Sequence, residues 1–129
     1  MMNPLLDYLY IVATICFTVY GQLILKWRVG FYGDLPITMV EKLKFVFTVL
    51  FDPWIISGLV AAFFASLAWI AAMTKFELNH AYPFMSLNFV LVFILSGFLL
   101  SEPLTLQRGI GIVLIVLGTV VTAGSGFPK

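Results

Sequence analysis

The sequence predicts an all-α integral membrane protein with four transmembrane helices. Four apolar stretches of about 20 residues, the length that a helix needs to cross the hydrocarbon core of a bilayer, fill most of the chain. Hydrophobic residues make up 62% of the sequence and charged residues 10%, whereas a soluble domain carries about 25% charged residues. Lipid must therefore be the solvent for most of the surface.

Composition also bounds the function. The net charge of +1 gives no reason to expect a nucleic-acid partner. The one cysteine, Cys16, excludes an internal disulfide and the spacing of a metal site, and we expect it to be a small apolar packing residue. No metal and no cofactor are predicted.

The first predicted span covers residues 5–25. Its apolar run is longer than the core of a signal peptide and no Lys or Arg precedes it, so we expect it to stay in the mature protein. Four polar residues recur every four positions and form one stripe along a helix: Thr14, Thr18, Gln22 and Lys26. Such a stripe faces the bundle interior or a wet cavity, because lipid cannot satisfy it. For the threonines we favour a packing role, whereas for Gln22 and Lys26 packing and function stay equally open.

The connection that follows, residues 28–53, is too long for a simple turn. Within it, apolar residues stand at helical spacing at Val40, Leu43, Phe47 and Leu50. This pattern predicts a short amphipathic helix over residues 38–50 that lies at the membrane surface. The alternative is that this helix gates a lateral opening to lipid.

The second predicted span, residues 54–76, has the composition of a packing helix. Small residues form two neighbouring rows on it, Gly58, Ala62 and Ser66 in one and Ala61, Ala65, Ala68 and Ala72 in the other. Rows of this kind let the backbones of membrane helices approach closely.

The third predicted span covers residues 81–100, with Pro83 in its first turn, where the missing N–H costs little. Tyr82 and Ser86 share a face of this helix, but Asn88 points about 200° away from Ser86. We therefore expect one of these two residues to line a substrate path and the other to bond a neighbouring helix.

Two ionisable residues flank the third span, His80 before it and Glu102 after it. We expect His80 to be a satisfied residue at the membrane interface rather than a ligand. Glu102 lies on the same side of the membrane as Lys26, and an ion pair between them is one interpretation.

Most of the basic residues are predicted on the side of the membrane where Lys26 lies, which makes it the cytoplasmic side. They are Lys26, Arg28, Lys42, Lys44 and Arg108, against Lys75 and Lys129 on the other side.

The fourth predicted span, residues 106–123, carries Gly111, Ile115, Gly118 and Thr122 along one seam. The seam predicts a helix–helix contact, within or between subunits. Four spans enclose little space, and a transport path of so few helices usually needs a second copy or a paralogue. We therefore expect a homodimer, or a heterodimer with a paralogue, with Gly111 and Gly118 at the contact.

Three motifs carry a resemblance to a known family: Gly21-Gln-Leu-Ile-Leu-Lys26, Ala81-Tyr-Pro-Phe-Met-Ser-Leu-Asn-Phe-Val90, and Glu102-Pro103 before a glycine-rich last helix. Over nearly its whole length the chain resembles the small multidrug resistance-like branch of the drug/metabolite transporter (EamA-like) superfamily. Within that branch it is most similar to the paired subunits proposed to flip undecaprenyl phosphate–aminoarabinose across the bacterial inner membrane. The resemblance implies a small multidrug resistance-like bundle that moves a lipid-linked sugar and is not an enzyme.

Drug-exporting members of the wider family have one membrane-embedded Glu in the first helix, shared by protons and cationic substrates. Alignment on Gly21 places Thr18 at that position, and a neutral hydroxyl cannot bind a proton and a cation in turn. An anionic lipid instead needs cations and hydrogen-bond donors near the headgroup level, which Lys26, Arg28 and Arg108 supply. We predict that Lys26 and Arg108 receive the phosphate while the isoprenoid tail stays in lipid. The residues predicted to hydrogen-bond the sugar or the phosphate are Gln22, Tyr82, Ser86 and Asn88.

Two other functions stay open from the sequence. A small cation or metabolite exporter of the small multidrug resistance type would use Asp7 or Glu102 as its ion site. A non-transporting accessory subunit would anchor or assemble a membrane glycosyltransferase and would move nothing.

Overall fold

The computed structural model describes residues 4–126, which form six α-helices. Their bounds are Pro4–Val29 (α1), Met39–Leu50 (α2), Pro53–Met73 (α3), Leu78–Met85 (α4), Leu87–Leu99 (α5) and Leu106–Gly126 (α6). Four segments are long and apolar enough to cross a membrane: Leu5–Val29, Pro53–Met73, Leu78–Leu99 and Leu106–Gly124. The all-α fold with four spans and one additional short helix is confirmed, and the chain is a multi-pass membrane protein.

The first helix, α1, runs past the predicted end of its span at residue 25 and ends at Val29. Lys26 and Arg28 lie in its last turn, where basic side chains interact favourably with the negative end of the helix dipole. The backbone N–H of Gly30 closes this turn on the Lys26 carbonyl at 3.3 Å. Both basic residues are therefore held on a helix rather than in a loop.

The short helix α2 starts with a side-chain cap. The hydroxyl oxygen of Thr38 accepts a hydrogen bond from the backbone N–H of Glu41 at 3.3 Å. Three of the apolar side chains assigned to one face, Val40, Leu43 and Phe47, are exposed. An exposed apolar face outside the bundle is typical of a helix that lies on a membrane. Its position at the membrane surface and a gating role stay predictions.

The backbones of α1 and α3 approach each other most closely at two glycines. A Cβ added to Gly21 would lie 3.1 Å from the carbonyl oxygen of Gly58, so a side chain there displaces backbone. On α3, Gly58 is buried together with Ala61, Ala65 and Ala72. The predicted packing role is confirmed for these residues, because they allow α3 to lie against α1. Ala62 and Ser66, also predicted to pack, are exposed instead.

The third span begins earlier than predicted. Because α3 ends at Met73, the following turn lets the next helix start at Leu78 rather than at residue 81. Pro83 therefore lies in the second turn of α4, and the expectation that it occupies the first turn is wrong. Proline has no N–H to donate to the preceding turn, so α4 is weakened there.

The third span is also broken at Ser86, between α4 and α5. Two backbone hydrogen bonds connect residues three apart: Ser86 donates to Pro83 at 3.0 Å, and Phe89 donates to Ser86 at 2.9 Å. The chain is locally wound as a tighter 3₁₀ turn. The hydroxyl of Thr119 on α6 donates another hydrogen bond to the Pro83 carbonyl at 3.1 Å, which connects α6 to the break.

The two glycines of the α6 seam, Gly111 and Gly118, have open space beside them within the described part of the chain. A Cβ added to Gly111 or Gly118 meets no atom of the described chain within 4 Å. Leu114, Leu117 and Val121 are also exposed on this helix. The space beside the two glycines is therefore open among residues 4–126, and a contact of the seam between subunits stays a prediction.

The close approach of α1 and α3 predicts a position-specific effect of added side chains. Gly21→Leu should lower the free energy of unfolding by about 1–3 kcal/mol, the usual cost of overpacking, because the Gly58 carbonyl blocks the new side chain. Gly109→Leu is the matched control, since a Cβ there meets nothing within 4 Å. Thermal unfolding in nanodiscs, followed by tryptophan fluorescence, should show the loss for Gly21→Leu alone. Equal melting temperatures for both variants would contradict it.

Candidate functional site

Two adjoining cavities of about 460 and about 440 Å³ lie between α1, α3 and the broken third span. We call them together the polar cleft, and the residues that line both are Thr18, Gln22, Tyr82 and Met85. The first cavity continues along α3 past Ala62 and Ser66, and the second continues along α5 past Asn88 and Phe89. A mostly apolar wall with a few convergent polar groups is the usual character of a ligand site.

The structure places four of the six predicted substrate-binding residues in this cleft: Gln22, Tyr82, Ser86 and Asn88. The expectation that only one of Ser86 and Asn88 faces a cavity is wrong. In a regular α-helix their directions differ by about 160°, but at three residues per turn they differ by about 120°. The 3₁₀ turn at Ser86 therefore lets both residues face α1. Their substrate-binding role stays a prediction.

The amide of Asn88 has hydrogen-bonding capacity that helix packing does not use. Its Oδ1 atom is buried and has no hydrogen-bond partner among the described residues. A buried acceptor left unpaired costs about 1–3 kcal/mol. Such a group inside a cleft is a candidate to bond a ligand that enters it.

Of the described residues that line the polar cleft, none is charged. Thr18, the position predicted to correspond to the Glu of drug exporters, is neutral and lines both cavities. Asp7 and Glu102, the alternative ion sites, are not among the lining residues. Thr14 reaches the first cavity but donates its hydroxyl proton to the Tyr10 carbonyl at 2.8 Å, in line with the packing role expected for it.

Lys26 and Arg108 lie outside the lining, at the end of the bundle where α1 ends and α6 begins. Lys26 is exposed one helical turn beyond Gln22. Arg108 is also exposed, and its guanidinium donates a hydrogen bond to the Pro103 carbonyl at 3.1 Å. The ion pair between Lys26 and Glu102 is not formed in the described part of the chain.

Arg28, the third cation expected to attract an anion, is already paired. Its Nη2 atom lies 2.7 Å from Oδ2 of Asp52, and its Nε atom lies 3.2 Å from Oδ1 of the same carboxylate. The Tyr32 hydroxyl donates to Asp52 as well, at 2.5 Å. The buried Asp52 carboxylate therefore balances the charge of Arg28 through a bidentate bond. A contribution of Arg28 to phosphate binding stays a prediction.

Asp52 is a structural residue that the sequence analysis missed. It caps α3, since its Oδ1 atom accepts the backbone N–H of Trp54 at 2.8 Å. An Asp followed by Pro53 before an apolar run is the usual start signal of a helix and could have revealed this role. The Arg28 guanidinium, with the Tyr32 hydroxyl, holds the pKa of the Asp52 carboxyl well below its usual range. Asp52 therefore joins the end of α1 to the start of α3 as an ionised group.

His80 lies at the opposite end of the bundle in an aromatic cluster. Its Nε2 atom is hydrogen-bonded to the Tyr8 hydroxyl at 2.9 Å, and its ring stacks on Phe76 and meets the edge of Phe84. Only 3% of the residue is exposed. The Tyr8 hydroxyl thus satisfies Nε2 of His80, and the expectation that His80 is not a ligand stays a prediction. Lys129, one of the two lysines predicted on this side of the membrane, lies outside the described residues.

Comparison with known proteins connects this architecture to transporters. The model of the EamA-like transporter family matches residues 12–124. The chain is 30% identical over 119 residues to the probable 4-amino-4-deoxy-L-arabinose-phosphoundecaprenol flippase subunit ArnE of Aeromonas salmonicida, with 92% of this chain and 98% of the relative covered. It is 30% identical over 125 residues to the probable subunit ArnF of that flippase from Aeromonas hydrophila, with 92% and 80% covered.

A shorter match has a higher identity. The probable ArnE subunit of Pseudomonas aeruginosa is 36% identical over 74 residues, which cover 57% of this chain and 64% of the relative. No solved structure matches the chain.

The ion pair between Arg28 and Asp52 predicts that the stability of the folded protein depends on pH. Folding lowers the pKa of Asp52, so its contribution is fully present above the unfolded pKa of about 3.9 and is lost as the pH falls toward the folded pKa. Asp52→Asn should lower the melting temperature at neutral pH by several degrees. Its difference from the wild type should shrink below about pH 4.

Asp34→Asn is the control, because it removes an exposed carboxyl from the same connection. Melting curves of the three proteins in nanodiscs, recorded from neutral pH to about pH 3, check the expectation. A difference between wild type and Asp52→Asn that stays constant over this range would rule out the ion pair as its source.

Proposed function

The chain belongs to the EamA-like transporter family, and we propose that it is a subunit of a flippase for a polyprenyl-phosphate-linked sugar in the bacterial inner membrane. The cargo inferred from its relatives is 4-amino-4-deoxy-L-arabinose on undecaprenyl phosphate. The observation that carries the proposal is the polar cleft: a path beside α1 that offers hydrogen bonds but no formal charge among its described lining residues.

An uncharged polar cleft suits a sugar that must cross oil. Each sugar hydroxyl that leaves water without a new hydrogen bond costs several kcal/mol, about 4–8 in a purely apolar medium. The side chains of Gln22, Ser86 and Asn88 replace part of that hydration because they both donate and accept. The isoprenoid tail needs no such path, so the headgroup alone enters the cleft.

The amino group of the cargo calls for a second kind of contact. Tyr82 and Trp69 both line the cleft, and their ring centroids are 6.1 Å apart in an edge-to-face arrangement. An ammonium held against an aromatic face gains about 0.5–2 kcal/mol without any carboxylate. These two rings therefore attract the amino group of the sugar. Because they carry no negative charge, they do not repel the anionic phosphate of the same cargo.

The phosphate is received at the cytoplasmic end of the cleft. Lys26 is exposed one turn beyond Gln22, and Arg108 stands at the same end of the bundle on α6. Arg28 is left out of this proposal, because the Asp52 carboxylate already balances its charge. With these two cations at the rim, a headgroup is drawn to the mouth of the cleft before its sugar moves inward.

We further propose that the flippase is a dimer, with a second copy or a paralogue as partner. The relatives are named as subunits, and a Cβ added to Gly111 or Gly118 on α6 would meet no atom of the described chain within 4 Å. Exposed glycines on a membrane helix permit close approach of another helix. Gly111 and Gly118 are the proposed centre of that contact. No covalent chemistry is part of this function.

Loss of the rim cations should slow flipping. Lys26→Ala and Arg108→Ala should each reduce the initial rate about tenfold or more, because a charge-assisted hydrogen bond contributes about 1.5–3 kcal/mol. The measurement uses proteoliposomes that contain undecaprenyl phosphate–aminoarabinose, alone and with a paralogue. The sugar amine that appears on the outer leaflet is titrated with a membrane-impermeant amine reagent.

Lys44→Ala is the matched control, since it removes an exposed lysine of α2. Wild-type rates in both rim variants would remove Lys26 and Arg108 from the proposed role. If the wild-type protein moves no cargo, either alone or together with a paralogue, the flippase assignment itself is overturned.

The unpaired amide of Asn88 predicts a defect confined to the sugar. Asn88→Leu should slow flipping about tenfold, as expected for one or two lost hydrogen bonds, and should leave the binding of sugar-free undecaprenyl phosphate unchanged. Asn79→Leu, an exposed asparagine outside the cleft lining, is the control. An equal loss of affinity for the sugar-free lipid would show that Asn88 does not read the sugar.

A further inference from the structure

A separate groove lies between the ends of α1 and α5. It has a volume of about 250 Å³, and it is lined by Leu23, Ile24, Trp27, Leu99 and Leu100. All of these side chains are hydrocarbon or aromatic, in contrast to the polar cleft. We call it the apolar groove.

We propose, on the basis of the function proposed above, that the apolar groove seats the first isoprenoid units of the cargo. Its position relative to Lys26 is the main reason. At about 100° per residue, Lys26 points about 40° from Gln22 on one side and about 60° from Leu23 on the other. The lysine therefore stands between the polar cleft and the apolar groove at one end of α1.

The chemistry of a polyprenyl phosphate matches this three-part arrangement. Its chain is attached directly to the phosphate, so its first units must lie beside whatever cation holds that phosphate. A glycerophospholipid instead places a glycerol unit and two ester bonds between its phosphate and its two hydrocarbon chains. Sugar in the polar cleft, phosphate at Lys26 and a single chain in the apolar groove follow the order of the groups in the cargo.

The size and rigidity of the groove agree with a short segment of chain. Its volume is about 250 Å³. A complete site for a small molecule is larger, about 300–1,000 Å³. The Trp27 ring is held edge-to-face against Trp54 at 5.6 Å and against Phe31 at 5.5 Å between centroids. One wall of the groove is thus fixed by aromatic packing, whereas the distal chain extends into lipid.

Photolabelling tests this inference without requiring transport. The probe is sugar-free undecaprenyl phosphate with a diazirine on its first isoprenoid unit, added to the full chain in nanodiscs of phosphatidylcholine. Label should appear on the peptides that contain Leu23–Trp27 and Leu99–Leu100. Excess unlabelled undecaprenyl phosphate should remove it, and excess phosphatidylglycerol should not.

Two variants make the test specific. Leu99→Trp fills the groove and should reduce labelling about tenfold, because the loss of about two buried methylene groups has that effect on affinity. Ile94→Trp adds the same ring to an exposed position of α5 outside the groove and should label like the wild type.

Labelling that phosphatidylglycerol removes equally well, or that Leu99→Trp leaves unchanged, would overturn the groove as an isoprenoid site. If the wild type still flips its cargo in that case, the proposed function stands and only this inference fails. Competable labelling in a protein that flips nothing would support the groove and overturn the flippase instead.

Discussion

The contact of Gly21 with Gly58 sets the position of every other feature of the site. Because neither residue has a side chain, α1 and α3 approach until a Cβ on Gly21 would lie 3.1 Å from the Gly58 carbonyl oxygen. With α1 held in this orientation, Thr18 and Gln22 face the polar cleft, and Leu23 and Trp27 face the apolar groove. A rotation of α1 about its axis would move all four together, so one contact governs both surfaces.

The same packing decides which cations are available to an anion. Arg28 and Lys26 are two residues apart on α1 and therefore point about 200° from each other. Arg28 meets Asp52 at the start of α3 and is neutralised there, whereas Lys26 stays exposed at the edge of the cleft. Breaking this ion pair would leave the Asp52 carboxylate buried without its cationic partner, which is strongly destabilising. Of the two cations at the end of α1, the one assigned to the phosphate is Lys26, because helix packing leaves it exposed.

The features that the sequence predicts correctly are those set by residues close together in the chain, and the features it misses depend on contacts between distant residues. The spans, the short helix (predicted over residues 38–50 and observed as Met39–Leu50) and the small residues of α3 were predicted because hydrophobicity and periodicity are local properties. The break at Ser86 was not predicted. Asn88 and Ser86 seemed to diverge only because a regular helix was assumed, and the three-residue hydrogen bonds around Ser86 changed the angle between them.

By itself, the sequence determined that the chain spans a membrane four times, that its first span offers hydroxyl and amide groups but no carboxylate near its middle, and that its basic residues cluster at one end. These follow from composition and from the repeat of a single helix. Only the tertiary structure decided that Gln22, Tyr82, Ser86 and Asn88 line one cleft and that Arg28 is bound to Asp52, 24 residues away. The physical reason is that a side chain's partner depends on how helices cross, and that crossing is set by contacts between distant parts of the chain.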